Sequence, residues 1–234
     1  MREDYYNDLN HLLDYSKRRQ WQWQIFLDAL TFATVGLATY YLVNYAALNI
    51  RFDYIFSKHQ APVSSIASST IGTGQGGAGD GAIEHPLINV PDDVPENGIY
   101  ISKIDIKAPI TWNGQADNIQ ELLKKGVAHI AGSATPGMTG NVFLTGHSSE
   151  LPWADGDYKT VFALLDKLEN GDEIIVRIDK QNYLYKVYNK QVTGKDEVGG
   201  FVKTDKKESI TIMTCYPVGS SLKRLIVQAE RQGQ

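Results

Sequence analysis

The chain has 234 residues, 42% of them apolar, with 23 basic and 27 acidic side chains and a formal charge of −4. That length and apolar content support a packed domain with extra segments and exclude a chain disordered throughout. The balance lacks the basic footprint of a nucleic-acid-binding protein, and the single cysteine, Cys215, excludes an intrachain disulfide framework and any paired-cysteine zinc or redox motif.

Residues 3–20 are polar and mixed in charge, with leucines at Leu9, Leu12 and Leu13 and a basic cluster at Lys17, Arg18 and Arg19. They read as a short amphipathic helix. Ala29 to Ile50 then runs for 22 residues without a charge, which at about 1.5 Å per helical residue crosses a bilayer core. Trp21 and Trp23 precede the run, and Tyr45 and Tyr54 sit near its far end, as aromatic residues do at membrane interfaces. Thr31, Thr34, Thr39 and Asn44 temper its hydrophobicity, so a long buried helix of a soluble protein is the competing reading. A cleaved signal peptide fits less well, because the run is too long and starts too late. The expectation is an uncleaved transmembrane signal anchor at 29–50, preceded by a cytoplasmic segment at 1–28. Four basic residues (Arg2, Lys17, Arg18, Arg19) lie before the span and only Arg51 and Lys58 closely follow it. The positive-inside rule therefore places the N-terminus in the cytoplasm and the rest outside the cell membrane, as a single-pass protein.

Residues 51–96 are expected to form a flexible extracellular linker. Ser64, Ser65, Ser68 and Ser69 lead into the glycine-rich run Gly72 to Gly81, and prolines recur at Pro86, Pro91 and Pro95. From Asn97 to Gln234 the charge is near balance and the signals are mostly strands. Ile99–Ile106 alternates apolar and polar positions. A short helix is predicted over Asn118–Lys125 with Asp117 as its cap, then a strand over Asn141–Thr145 and a second short helix over Thr160–Leu168. The turn Asn170-Gly171-Asp172 precedes a hairpin of Ile174–Ile178 and Tyr183–Gln191, and Ser209–Cys215 and Leu222–Gln228 are two further strands. Many short strands without alternating long helices point to a closed barrel or a sandwich and away from a doubly wound sheet.

Cys215 ends the run Ile210-Thr211-Ile212-Met213-Thr214-Cys215 before Tyr216-Pro217, and proline does not continue a central strand. The cysteine is thus placed at a strand's end, where loops form sites. A free thiol has a pKa of about 8.5 and needs a base or cation to act as a nucleophile at neutral pH. His147 ends the strand Asn141–Thr145 after Gly146 and so occupies the same kind of position, whereas His129, between Val127 and Ile130, reads as a satisfied, semi-buried histidine. If the chain reverses about Gly219-Ser220, Cys215 faces Arg224, and directly opposed residues share a face. An arginine there stabilises a thiolate or an oxyanion. An ordinary solvated arginine is the alternative, and Lys223 points the other way. Asp155 and Asp157, like Asp92-Asp93, lack the spacing of a calcium loop. Ser148-Ser149 lack a nucleophile elbow, and Gly72–Gly81 lacks the lysine of a phosphate loop.

Taken together, Thr145-Gly146-His147, Thr211-Ile212-Met213-Thr214-Cys215 and Arg224 resemble the sortases, whose hallmark is a TLxTC strand; isoleucine stands here at its second position. Gly126-Val127-Ala128-His129, Gly132-Ser133, Pro136-Gly137 and Gly140-Asn141 resemble the family's stretch before its catalytic histidine, and the likeness covers roughly Pro91 to Glu230. The resemblance implies a mainly β fold, a closed eight-stranded barrel with short helices at 97–234. It also implies Cys215 as nucleophile, His147 as general acid and base, and Arg224 as the stabilising arginine, with no cofactor and no metal. The substrate it implies is a surface protein bearing an LPxTG-like sorting signal. The acyl group would pass to an amine of a cell-wall precursor or a pilin lysine. Two other readings accompany it: a non-catalytic membrane-tethered barrel that binds a peptide or glycan, and a cysteine peptidase that only hydrolyses.

Overall fold

Alternating apolar residues put one face of each strand inside and the other outside, and eight such strands close into a barrel in the order β1-β2-β3-β4-β7-β8-β6-β5. The strands are β1 Gly98–Ile101, β2 Ile106–Gly114, β3 Val127–Ile130, β4 Gly140–Thr145, β5 Glu173–Ile178, β6 Gln181–Gly194, β7 Glu208–Tyr216 and β8 Lys223–Arg231. Helix α1 spans Arg2–Phe56 and the short α2 spans Ile119–Leu123. The computed structural model describes residues 2–56 and 90–233. The serine and glycine run of the expected linker lies outside the described residues.

The chain divides into two compact units, one up to Tyr45 and one from Ala46 onward. In the first, the polar segment and the apolar run are one continuous helix, because no proline or glycine stands between Lys17 and Ala29 to interrupt it. Its Arg18–Phe56 stretch is long and apolar enough to cross a membrane, and none of its most apolar window is buried against protein. Three of the polar residues that temper the run bond to the helix itself. Thr31 Oγ1 donates to the Leu27 carbonyl, Thr34 Oγ1 to the Thr31 carbonyl and Asn44 Nδ2 to the Tyr40 carbonyl. Lipid demands that polar groups be satisfied internally, and these are.

In the second unit the barrel interior is filled by Ile99, Ile101, Val142, Leu144, Ile174, Val176, Ile210, Ile212 and Val227, all buried. Each contributes on the order of 1.5–3 kcal/mol on leaving water. Two pairings in the barrel are parallel, β2 with β3 and β4 with β7; the others are antiparallel. The end of α1 belongs to this unit. Arg51 grips Asp166 through two bonds of 2.8 Å and donates to the Ala163 carbonyl at 2.8 Å, and Tyr54 packs against the core.

Several expected elements differ in detail. The alternation over Ile99–Ile106 belongs to two strands, not one. A 3-10 turn at Ser102–Ile104 and Asp105 in the left-handed region (φ 49°) fold the chain back, pairing Ile101 with Ile106. The apolar pattern survives because both strands face the same interior. The helix predicted over Asn118–Lys125 is shorter, Ile119–Leu123, and Asn118 stands at its N-cap position in place of Asp117, with its Oδ1 accepting the Gln115 N–H. The stretch Thr160–Leu168 forms successive tight turns and a 3-10 turn at Leu165–Lys167 instead of an α-helix. The Ala163 carbonyl, which an α-helix would pair with the Lys167 N–H, is taken by Arg51, and the Lys167 N–H donates to the Leu164 carbonyl instead. Strand β3 and all of β2 beyond Ile106 were not anticipated.

Candidate active site

Strands β4 and β7 run side by side in parallel, with Thr145 paired to Met213. His147 and Cys215 each lie two residues beyond that pair, so both emerge at the same end of the barrel. The alignment is carried past the last ladder pair by two bonds. Gly146 N–H donates to the Met213 carbonyl at 3.2 Å, and the buried Thr214 Oγ1 donates to the Gly146 carbonyl at 2.8 Å. Gly146 is glycine for a steric reason. A Cβ there would meet the Phe162 ring at 2.6 Å and Val161 at 2.9 Å.

On its other edge β7 pairs with β8, and Cys215 stands directly opposite Arg224, in the register predicted from the turn about Gly219-Ser220. Arg224 also faces Thr193 of β6. Its guanidinium donates to the Ser221 and Lys223 carbonyls, both at 3.0 Å, so in this structure the head group lies on the β7–β8 turn. The thiol of Cys215 is half-buried and free.

Burial pushes the His147 imidazole below its ordinary pKa, and the Glu150 carboxylate works against that shift. Glu150 Oε2 lies 3.7 Å from His147 Nδ1, with side-chain exposures of 15% for the histidine and 33% for the glutamate. Glu150 Oε1 accepts the Leu151 N–H at 2.9 Å, which holds the carboxylate in place. Sequence reasoning assigned Glu150 no role; its only signal was its spacing three residues after His147.

His129 is fully buried and takes part in a separate cluster. The Asn113 N–H donates to Nδ1 at 3.3 Å, so Nε2 carries the proton and faces the Ala134 carbonyl at 2.9 Å and Ser133 Oγ at 2.8 Å. The Phe143 N–H also donates to Ser133 Oγ. The histidine thus ties the β3–β4 loop to β2 and β4, a positional task within the fold. A surface depression lined by Ser133, Thr135, Met138, Asn141, Val202 and Lys203 opens at the Gly140 end of β4, away from His147. Above β4 and β7, Asn141 donates to the Phe201 and Val202 carbonyls and accepts from Ser209 and Thr211, which fixes the 3-10 turn Lys195–Phe201 across the sheet. Among the described residues, no three His, Cys, Asp or Glu side chains cluster closely enough to hold a metal ion.

The family pattern described as the sortase domain matches residues 99–232, which is more than half of the chain and takes in all of the barrel but Gly98. The chain belongs to the sortase family. Among curated proteins this sortase is 30% identical to Sortase D of Bacillus subtilis (strain 168) over 145 residues, 58% of this chain and 66% of that protein, just under two thirds of its length. Solved sortases share its fold. Sortase C1 of GBS Pilus Island 1 superposes with a TM-score of 0.51 at 27% identity, covering 58% of this chain and 64% of the other. Sortase C-1 from Actinomyces oris gives a TM-score of 0.51 at 28% identity, covering 61% and 77%. In this sortase the matched region contains His147, Cys215 and Arg224 together.

Proposed function

We propose that this sortase is a membrane-anchored cysteine transpeptidase with Cys215 as nucleophile, His147 as general acid and base and Arg224 as the stabilising cation. The observation that carries the reading is the register of three adjoining strands. Parallel β4 and β7 bring His147 and Cys215 to one end, and antiparallel β8 sets Arg224 across from the cysteine. These are the residue types acyl transfer through sulfur requires, at the mouth of a closed barrel.

The chemistry follows from the groups. The Cys215 thiolate attacks the scissile carbonyl of an LPxTG-like sorting signal on a surface protein, and a carbon–sulfur bond forms. Arg224 leaves the carbonyls of its turn and faces the oxyanion. The imidazolium of His147 gives its proton to the departing amine as the carbon–nitrogen bond breaks, leaving a thioacyl enzyme. An amine of the cell wall or of another surface protein then attacks the thioester, His147 takes its proton, and sulfur departs as thiolate. Burial favours the neutral imidazole, which suits the second, base-catalysed half; the carboxylate of Glu150 favours the charged imidazole of the first. The chain is organised as a cytoplasmic segment at 1–28, a span at 29–50, a connecting segment at 51–96 and the catalytic barrel at 97–234, with the barrel outside the cell. Arg2, Lys17, Arg18 and Arg19 support that orientation.

Intact-mass spectrometry of the full chain incubated with an LPxTG-type peptide tests the reading. A thioacyl adduct is expected on the wild type and none on Cys215→Ala. Adding an amine converts the adduct to a transfer product. Release of free acid alone in the presence of the amine indicates a hydrolase, and the absence of any adduct indicates a binding module.

A further inference from the structure

The loop after His147 carries a carboxylate that the sulfur chemistry does not itself require. Glu150 Oε2 stands 3.7 Å from His147 Nδ1. That is longer than a hydrogen bond and close enough for a strong charge–charge interaction. The glutamate is not a loose surface acid. Its other oxygen accepts the Leu151 N–H at 2.9 Å, so its position is already fixed before the imidazole charges. The loop is in turn held at its base by the bond from Phe162 N–H to the His147 carbonyl.

We propose that Glu150 is a positioning residue for His147: its carboxylate, facing Nδ1, draws the ring proton toward that nitrogen through charge and leaves Nε2 for proton exchange with sulfur and amine. This rests on the reading of His147 as the acid and base of the reaction. Two opposing influences act on the ring. Burial disfavours its charge and Glu150 restores it. Other titratable groups at this end of the barrel include Cys215 and Tyr216 on β7, Lys223 and Arg224 on β8, and Asp157, Tyr158 and Lys159 on the segment leading to Phe162. Arg224 is turned onto the Ser221 and Lys223 carbonyls, and Lys159 Nζ donates to the Pro152 carbonyl. Glu150 is the one charged neighbour that shifts the imidazole appreciably through space among the described residues. A carboxylate on the Nδ1 side of the ring biases the neutral imidazole toward the tautomer protonated on Nδ1, a bias that an isolated histidine at a strand end lacks.

The test is the titration of His147 in the full chain in detergent micelles, read from its carbon-labelled imidazole resonance, which is assigned by its loss in His147→Ala. Glu150→Gln keeps the shape and the acceptor for Leu151 while removing the charge. Its imidazole pKa is expected to fall by about half to one unit, as one screened charge at this distance would give. Glu150→Asp retains the charge on a shorter arm and is expected to fall between the two. In parallel, the rate of thioacyl formation is measured against pH. The wild-type to Glu150→Gln ratio is expected to widen as pH rises, to about three- to tenfold above neutrality, because the imidazolium fraction shrinks there. An unchanged His147 titration, or a rate ratio constant at every pH, overturns the proposal and leaves Glu150 a loop-bracing residue. The titration needs no substrate, so a wild type that forms no adduct counts against the transpeptidase reading and not against the Glu150–His147 coupling.

Discussion

Cys215 on β7 and Arg224 on β8 are a directly opposed pair in an antiparallel ladder that runs unbroken from Ser209–Glu230 to Tyr216–Lys223. Eight consecutive pairs fix that juxtaposition, so it does not depend on a loop. In the proposed reaction only the guanidinium moves, away from the Ser221 and Lys223 carbonyls that hold it here.

Arg224→Ala is accordingly expected to lower the rate of thioacyl formation by about 10²-fold or more, the usual cost of one oxyanion donor. The KM for peptide should change far less. Arg224→Lys is expected to recover little of the loss, because an ammonium does not reproduce the planar fork. Single-turnover kinetics with an LPxTG-type peptide separates the two effects. A rise in KM with the maximal single-turnover rate unchanged would assign the arginine to uniform binding instead.

Gly146→Ala tests the packing that aims His147. A methyl group at this position overlaps the Phe162 ring and Val161. Overpacking of this kind costs about 1–3 kcal/mol, measurable as a lower urea midpoint. Phe162→Leu in the same chain is expected to relieve part of that cost, so the double variant should be less destabilised than the sum of the two single ones.

Acid sensitivity is expected from the buried histidines. His129 is held below its ordinary pKa by burial, an effect its bond to the Ala134 carbonyl only partly opposes; His147 is lowered by burial as well. The unfolded chain therefore binds protons that the native fold refuses. Stability is full above the unfolded value of about 6.5 and is lost as pH falls from there toward the depressed native values. His129→Gln should flatten the dependence of the urea midpoint on pH between about 7 and 5 relative to the wild type, whatever it does to the midpoint itself. A slope equal to that of the wild type would remove His129 from the account.

Arg51 and Asp166 have side-chain exposures of 24% and 19% and meet in a two-pronged contact. Asp166→Ala removes both of these bonds to the guanidinium and is expected to cost about 1–3 kcal/mol, as for hydrogen bonds between charged groups. The double variant with Arg51→Ala should be no worse than either single one. Thermal unfolding of all four proteins closes the cycle, and strict additivity would show that the contact contributes nothing.

Much of this molecule is legible in one dimension. The uncharged run after Ala29 is a helix because length and composition leave a membrane-scale stretch no other way to satisfy its backbone. The closing hairpin was readable down to its register, since a short connection between two alternating strands leaves few ways to pair them. The β1–β2 turn was not readable. Its apolar spacing is the same whether the chain continues straight or folds back, and Asp105 gives no strong turn signal. The turns over Thr160–Leu168 depend on partners as distant in sequence as Arg51 and His147.

By itself, then, the sequence determined the membrane-length helix, the β-rich class and the local pairing of Cys215 with Arg224, all properties of near neighbours. Tertiary structure alone decided that β4 lies parallel to β7, bringing His147 from 68 residues away to the end that holds Cys215, and that a glutamate comes to rest beside its ring. Parallel neighbours are joined by long crossovers, so their register is written in the packing of the whole barrel and not in any stretch of the chain that can be read alone.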